Sequence, residues 1–139
     1  MDLSRRLSFL LPSVLLAHDE NANPVLDRTS FIHGGVGPFA VAGYRMGEAA
    51  LQKLKQPRGS FDLEVIHYSP RAVQWACIID GLQAATGTSL GKLNLKLVEV
   101  PRAQLHSVVR HRPSGQSVTL HLTPAFIRNF LNVPPKQLA

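Results

Sequence analysis

Cysteine is almost absent from this chain of 139 residues, where Cys77 stands alone. A disulfide framework within the chain and a zinc module built from cysteines are therefore both excluded. No apolar run reaches the roughly 20 residues that a membrane-spanning helix needs, so no membrane partner is expected and the protein is read as cytoplasmic. Acidic residues run out part-way along. Residues 1–91 hold eight Lys/Arg and eight Asp/Glu, whereas residues 92–139 hold seven Lys/Arg and only Glu99. The net charge of +6 thus belongs to the C-terminal half, as a solvated face or as a surface for an anionic partner. Aromatic residues make up 6 % of the chain. None falls at strand positions suited to stacking on bases, so nucleic acid is not an expected partner. Internal repeats and long linkers are also missing, and the length suits one domain with its own core.

What is present reads as alternating helices and strands. Arg5 and Arg6 precede an apolar run over residues 7–17 that has the look of a short signal peptide, but no small-x-small cleavage site follows directly. Leu3, Leu7, Leu10, Leu11, Val14 and Leu15 instead fit one face of a helix, kinked by Pro12. This N-terminal helix is expected to cover the domain or a partner subunit. Residues 18–30 are polar and rich in turn formers, which predicts a loop. A glycine-rich turn with His33, Gly34, Gly35 and Gly37 then feeds a helix from Pro38 to about Lys55.

Residues 61–68 alternate as a strand, with Phe61, Leu63, Val65 and His67 on one face. Ser69 and Pro70 suit the start of a buried helix running to about Ala85, in which Cys77 reads as a small core residue and Asp80 is the only acid. Strands are predicted near residues 93–98, 104–112 and 117–122, the last two joined by a hairpin at residues 113–116. A short helix over residues 125–131 and a loose tail close the chain. The fold expected is α+β with one mixed sheet, in three stretches: the N-terminal helix and loop (1–30), the core (31–131) and the tail (132–139).

Two features of the long glycine-led helix bear on function. A glycine turn opening a helix is suited to an anion or ligand. Phe39, Gly43, Gly47 and Leu51 lie four apart, and glycine costs roughly 1 kcal/mol in a helix interior relative to alanine. Two on one stripe imply close approach of another backbone, either within the chain or in a homodimer, and a homodimer through this helix or the N-terminal one is expected. The loop Thr86-Gly-Thr-Ser-Leu-Gly-Lys92 is not a Walker loop, since only three residues separate its glycines and a strand follows. His106, His111 and His121 lack the spacing of a firm metal pair.

Phe31-Ile-His-Gly-Gly-Val-Gly-Pro-Phe39, followed by Ala42-Gly-Tyr-Arg-Met-Gly47, resembles the opening motif of the FmdE-like family of formylmethanofuran dehydrogenase, which reads roughly F-H-G-H-x-C-P-G before an L-G-Y-R-M-type helix. A second block over residues 72–95 is similar to the family's later T-G-C-T-x-G-K-x-N block, with Thr86, Gly87, Ser89, Gly91, Lys92 and Asn94 matching. The resemblance implies a helix–strand–helix–three-strand core, self-association and attachment to a larger oxidoreductase complex. It also implies a metal site, but only His33 retains a ligand type. Gly35 stands at the second histidine position, and Gly37, Arg71 and Thr88 stand at cysteine positions. A soft-metal site needs three or four thiolates or imidazoles, so no metal and no other cofactor is expected. The family's loop placement would bring Thr88 and Lys92 toward His33, His67 and Arg71. The residues expected to bind a small anionic ligand are therefore His33, Gly34, Gly35, Gly37, His67, Arg71, Thr88 and Lys92. The function read is an accessory or ligand-binding module with a degenerate metal site. An enzyme or binding protein for a small anion, or a histidine-based metal protein, are the alternatives, and no catalytic residue is assigned.

Overall fold

The computed structural model describes residues 23–131. The helix expected over residues 1–17 and the tail 132–139 lie outside the described residues. The first element corrects the expected loop, because α1 occupies Pro24–His33. The polar residues there are helix-start residues. Asn23 accepts a hydrogen bond from the Val25 N–H at 3.1 Å, Pro24 sits in the first turn with Asp27, and Gly34 ends the helix in the left-handed region. Helix α2 (Pro38–Leu54) follows as expected.

Strand β1 (Leu63–Ser69) leads through the short helix α3 (Val73–Ala76) to α4 (Ile78–Thr86). The sequence predicts a single helix from Ser69, but Ser69 ends the strand and Ala72 caps α3. The break between α3 and α4 has a visible partner, because the Trp75 carbonyl accepts from the buried His67 Nε2 at 3.0 Å. In an uninterrupted helix that carbonyl would serve the amide four residues on. Strands β2 (Leu95–Glu99), β3 (His106–His111) and β4 (Ser117–Leu120) and helix α5 (Pro124–Phe130) complete the order.

The four strands form one mixed sheet ordered β2-β1-β3-β4. β1 runs parallel to β2, with Val65 opposite Leu95, and antiparallel to β3, with Val65 opposite Val109. β3 and β4 form the expected hairpin. The architecture is α+β. Leu63, Val65 and Val109 from the sheet meet Phe39, Ile78 and Leu82 from the helices in one core.

Helices α2 and α4 pack backbone against backbone. A Cβ at Gly43 would lie 2.0 Å from the Ile78 carbonyl oxygen, and one at Gly81 would lie 1.9 Å from the Ala40 carbonyl oxygen. The small-residue stripe is therefore used up by backbone contact inside the chain. Gly47 likewise faces Ala85, where a Cβ would meet the Ala85 methyl at 2.6 Å. The expectation that this stripe forms a dimer contact is corrected, since α4 already covers it.

Candidate functional site at His33 and Asp80

His33 is the last residue of α1, held there by the Gly34 cap whose N–H bonds the Ser30 carbonyl at 2.8 Å. Its Nδ1 lies 2.7 Å from Oδ2 of Asp80, in the first turn of α4. An acid in a first turn complements the positive end of the helix. With the proton on Nδ1, the imidazole donates to the carboxylate and keeps Nε2 as an acceptor, the orientation that carboxylate–histidine pairs impose. Both side chains are partly exposed, at 24 % and 33 %, so the pair is open to a ligand. Beside it, a Cβ at Gly34 or Gly35 would meet nothing within 4 Å. The turn ahead of α2 is thus open at both glycines.

Cys77 lies one turn before Asp80 but adds no thiolate. Burial, and then the charge of Asp80, push its thiol up to about 11. Its Sγ–H donates to the Gln74 carbonyl at 3.3 Å. Among the described residues no three His, Cys, Asp or Glu side chains are grouped to hold a metal ion.

The other expected site residues are spread out. His67 is buried on β1, with Nδ1 2.8 Å from Ser107 Oγ and Nε2 bonded to the Trp75 carbonyl. Burial lowers its pKa below the usual histidine value. Thr88 is also buried and pairs with the Thr86 hydroxyl at 2.9 Å. Lys92 donates to the carbonyls of Gly59 and Gly87, each at 2.9 Å, and lies over the Phe61 ring. This ties the loop after α4 to the turn before β1. Arg71 is exposed and lines an open depression with Pro70, Glu99, Val100 and Pro101.

The contacts of His33, Arg71 and Lys92 share no residue. Asp80 and Gly87 mark the two ends of α4, about 10 Å apart at 1.5 Å per residue. Gly59 precedes β1 and Arg71 follows it, so Lys92 and Arg71 lie beyond opposite ends of a strand about 20 Å long. The structure pairs His33 with Asp80 and sets Lys92 at the far end of α4.

Two polar groupings are invisible in the sequence because both depend on strand register. Glu64 is buried and receives Lys96, Arg110 and Arg112, with Lys96 at 2.8 Å. The Lys96 hydrogen bond, joined by Arg110, lowers its carboxyl to about 2, against the opposing effect of burial. Tyr68 stacks on His106 with ring centres 4.3 Å apart, and His106 faces His121 at 5.9 Å. These rings stack on one another across strands. The signal for Asp80 was present, as the sole acid of an apolar helix.

The sequence model of one protein family, described as FmdE, molybdenum formylmethanofuran dehydrogenase operon, matches residues 32–137. The chain belongs to the FmdE family. The match begins one residue before His33 and takes in all of the two blocks singled out in the sequence except Phe31. Comparison with curated proteins gives no match. Within the matched span, His33 stands at the end of α1. Gly35 and Gly37 fall in the turn after α1, Arg71 follows β1 and Thr88 follows α4. No helix among the described residues is long and apolar enough to cross a membrane.

Proposed function

We propose that this FmdE-family chain is a non-catalytic accessory module of a formylmethanofuran dehydrogenase type of oxidoreductase complex, with a degenerate metal site. The observation that carries the reading is the isolation of the His33–Asp80 pair. One oriented imidazole and one carboxylate are fewer than the several soft ligands that the resembled motif implies, and the nearby cysteine is held as a thiol. Two ligands without a thiolate fall short of a structural zinc set. The protein serves by binding a partner and presenting His33, not by turning over a substrate.

Elemental analysis of the dialysed protein, together with co-purification against a formylmethanofuran dehydrogenase complex, tests this. The expected result is substoichiometric zinc and iron with retention on the complex. One metal per chain surviving dialysis defeats the degenerate site, and no retention defeats the accessory role.

A second reading, a site for a small anion using His33, Arg71 and the glycines at 34, 35 and 37, draws support from the exposed Arg71 guanidinium and the open turn. Lys92 contributes less to it, because its amine already holds two carbonyls. A thermal-shift titration with phosphate decides it. An anion at 100 times its Kd stabilises by about 2.7 kcal/mol, and Arg71→Ala is expected to abolish that rise.

A further inference from the structure

Strand β2 ends the sheet, with β1 on one side and no strand on the other among the described residues. The Asn94 carbonyl accepts from the Val65 N–H at 2.8 Å, and the Val100 N–H donates to the Ser69 carbonyl at 3.0 Å. Backbone groups alternate sides along a strand in a parallel ladder, so Asn94, Lys96, Val98 and Val100 turn theirs toward β1. Leu95, Leu97 and Glu99 turn theirs outward. We propose that this edge is where the module docks in the accessory role read above, by taking one further strand from a partner subunit. That strand carries apolar side chains on the face shared with Leu97 and a carboxylate beside Lys96.

Side chains and charge fix the kind of strand. Leu95 is buried in the core, and Leu97, two residues on, shares its face but is half exposed. An apolar side chain across from Leu97 completes its burial. On the opposite face Lys96 joins Arg110 and Arg112 on Glu64, so three cations meet one carboxylate. The surplus in that cluster is positive and is matched by an acid on the incoming strand. A second copy of this chain fits the edge poorly. Pairing β2 with itself antiparallel about Leu97 is the one register that sets all three outward residues against one another. It places the Lys96 of each copy diagonally on one face, where like charges repel. Lysine on an edge strand discourages self-pairing for this reason.

Co-purification of proline variants of the full chain with a formylmethanofuran dehydrogenase complex tests the proposal. Proline removes an N–H and is tolerated in a strand where that N–H faces away from the sheet. Leu97→Pro and Glu99→Pro are expected to melt close to wild type yet weaken retention by about tenfold or more. Thr119→Pro is the comparison on the β4 edge. The His111 N–H donates to the Gln116 carbonyl at 2.8 Å, so Thr119 also turns its N–H away from the sheet, and this variant is expected to stay bound. Lys96→Gln is expected to weaken retention and to flatten its dependence on salt. Retention of both β2 proline variants at the wild-type level overturns the proposal, as does an equal loss with Thr119→Pro. Unfolding of both β2 variants shows that their N–H groups do not face outward and overturns it as well. An unchanged salt dependence in Lys96→Gln overturns the acidic character of the strand. Light scattering on the protein alone covers the remaining occupant: a dimer that Leu97→Pro converts to monomer assigns the edge to a second copy and overturns the proposal. If wild type is not retained at all, the accessory role fails and the docking edge fails with it, whereas retention that ignores the β2 variants leaves that role standing.

Discussion

His33 Nδ1 and Asp80 Oδ2 lie 2.7 Å apart, so the last residue of α1 is fastened to the first turn of α4. The link is short but partly exposed, and pairs of that kind contribute about 0.2–1 kcal/mol. His33→Ala and Asp80→Ala are each expected to lower stability modestly, with a coupling in that range when combined. Urea unfolding of the two single variants and the double variant measures it. Full additivity would show that the pair does not form in solution.

Gly43 and Gly35 are predicted to respond in opposite ways to the same added methyl. At Gly35 the methyl enters open space, and a surface change of this kind shifts stability by no more than about 0.5 kcal/mol. At Gly43 it collides with the Ile78 carbonyl, which costs about 1–3 kcal/mol or more in overpacking. Thermal denaturation of Gly35→Ala and Gly43→Ala gives both values, and equal tolerance would contradict the α2–α4 crossing.

Glu64 sets an acid limit on stability. Its folded carboxyl titrates at about 2, below its ordinary 4.5, chiefly through the Lys96 hydrogen bond. The stabilisation is complete above pH 4.5 and is lost as pH falls from there through about 2. Glu64→Gln leaves Lys96, Arg110 and Arg112 facing one another. It is expected to cost about 1–3 kcal/mol at pH 7 and much less at pH 3. An equal loss at both pH values would remove the charge argument.

His67 acts at milder acidity with the same sign. Burial holds the folded imidazole neutral below its ordinary pKa of 6.5. Below pH 6.5 the unfolded chain therefore binds a proton that the folded chain resists, and stability declines as pH falls. His67→Gln is expected to destabilise at pH 8 by about 1–3 kcal/mol, because Ser107 and the Trp75 carbonyl lose their partner. It should also flatten the pH dependence between 6.5 and 5. An unchanged slope in equilibrium unfolding would assign that dependence to another group.

Local patterning carried most of the fold into view. The alternation of Leu63, Val65 and His67 marked β1, and the small residues at 43 and 47 marked a close helix crossing whose partner turned out to be α4. Patterning failed where one residue type serves two purposes. Asn23, Pro24 and Asp27 suit a turn as well as a helix start, and only the burial of Val25 and Thr29 against the neighbouring helices selects the helix. The site was legible in part. His33 stood out in its motif, but Asp80 lies 47 positions away and joins it only when α1 packs on α4. Lys92 resembled an anion ligand by type, whereas its two carbonyl partners come from loops at residues 59 and 87 that no spacing rule connects.

The central place of β1 also governs when the chain can fold as it leaves the ribosome. Both neighbours of β1 lie downstream, β2 at Leu95–Glu99 and β3 at His106–His111. Once Ser69 is made, about 30 more residues must be added before either edge of the strand can be fully satisfied, which takes roughly 1.5–6 s at 5–20 residues per second. During that interval Leu63 and Val65 are exposed on a strand with two open edges, so nascent β1 is the segment most in need of shielding while the protein is being made.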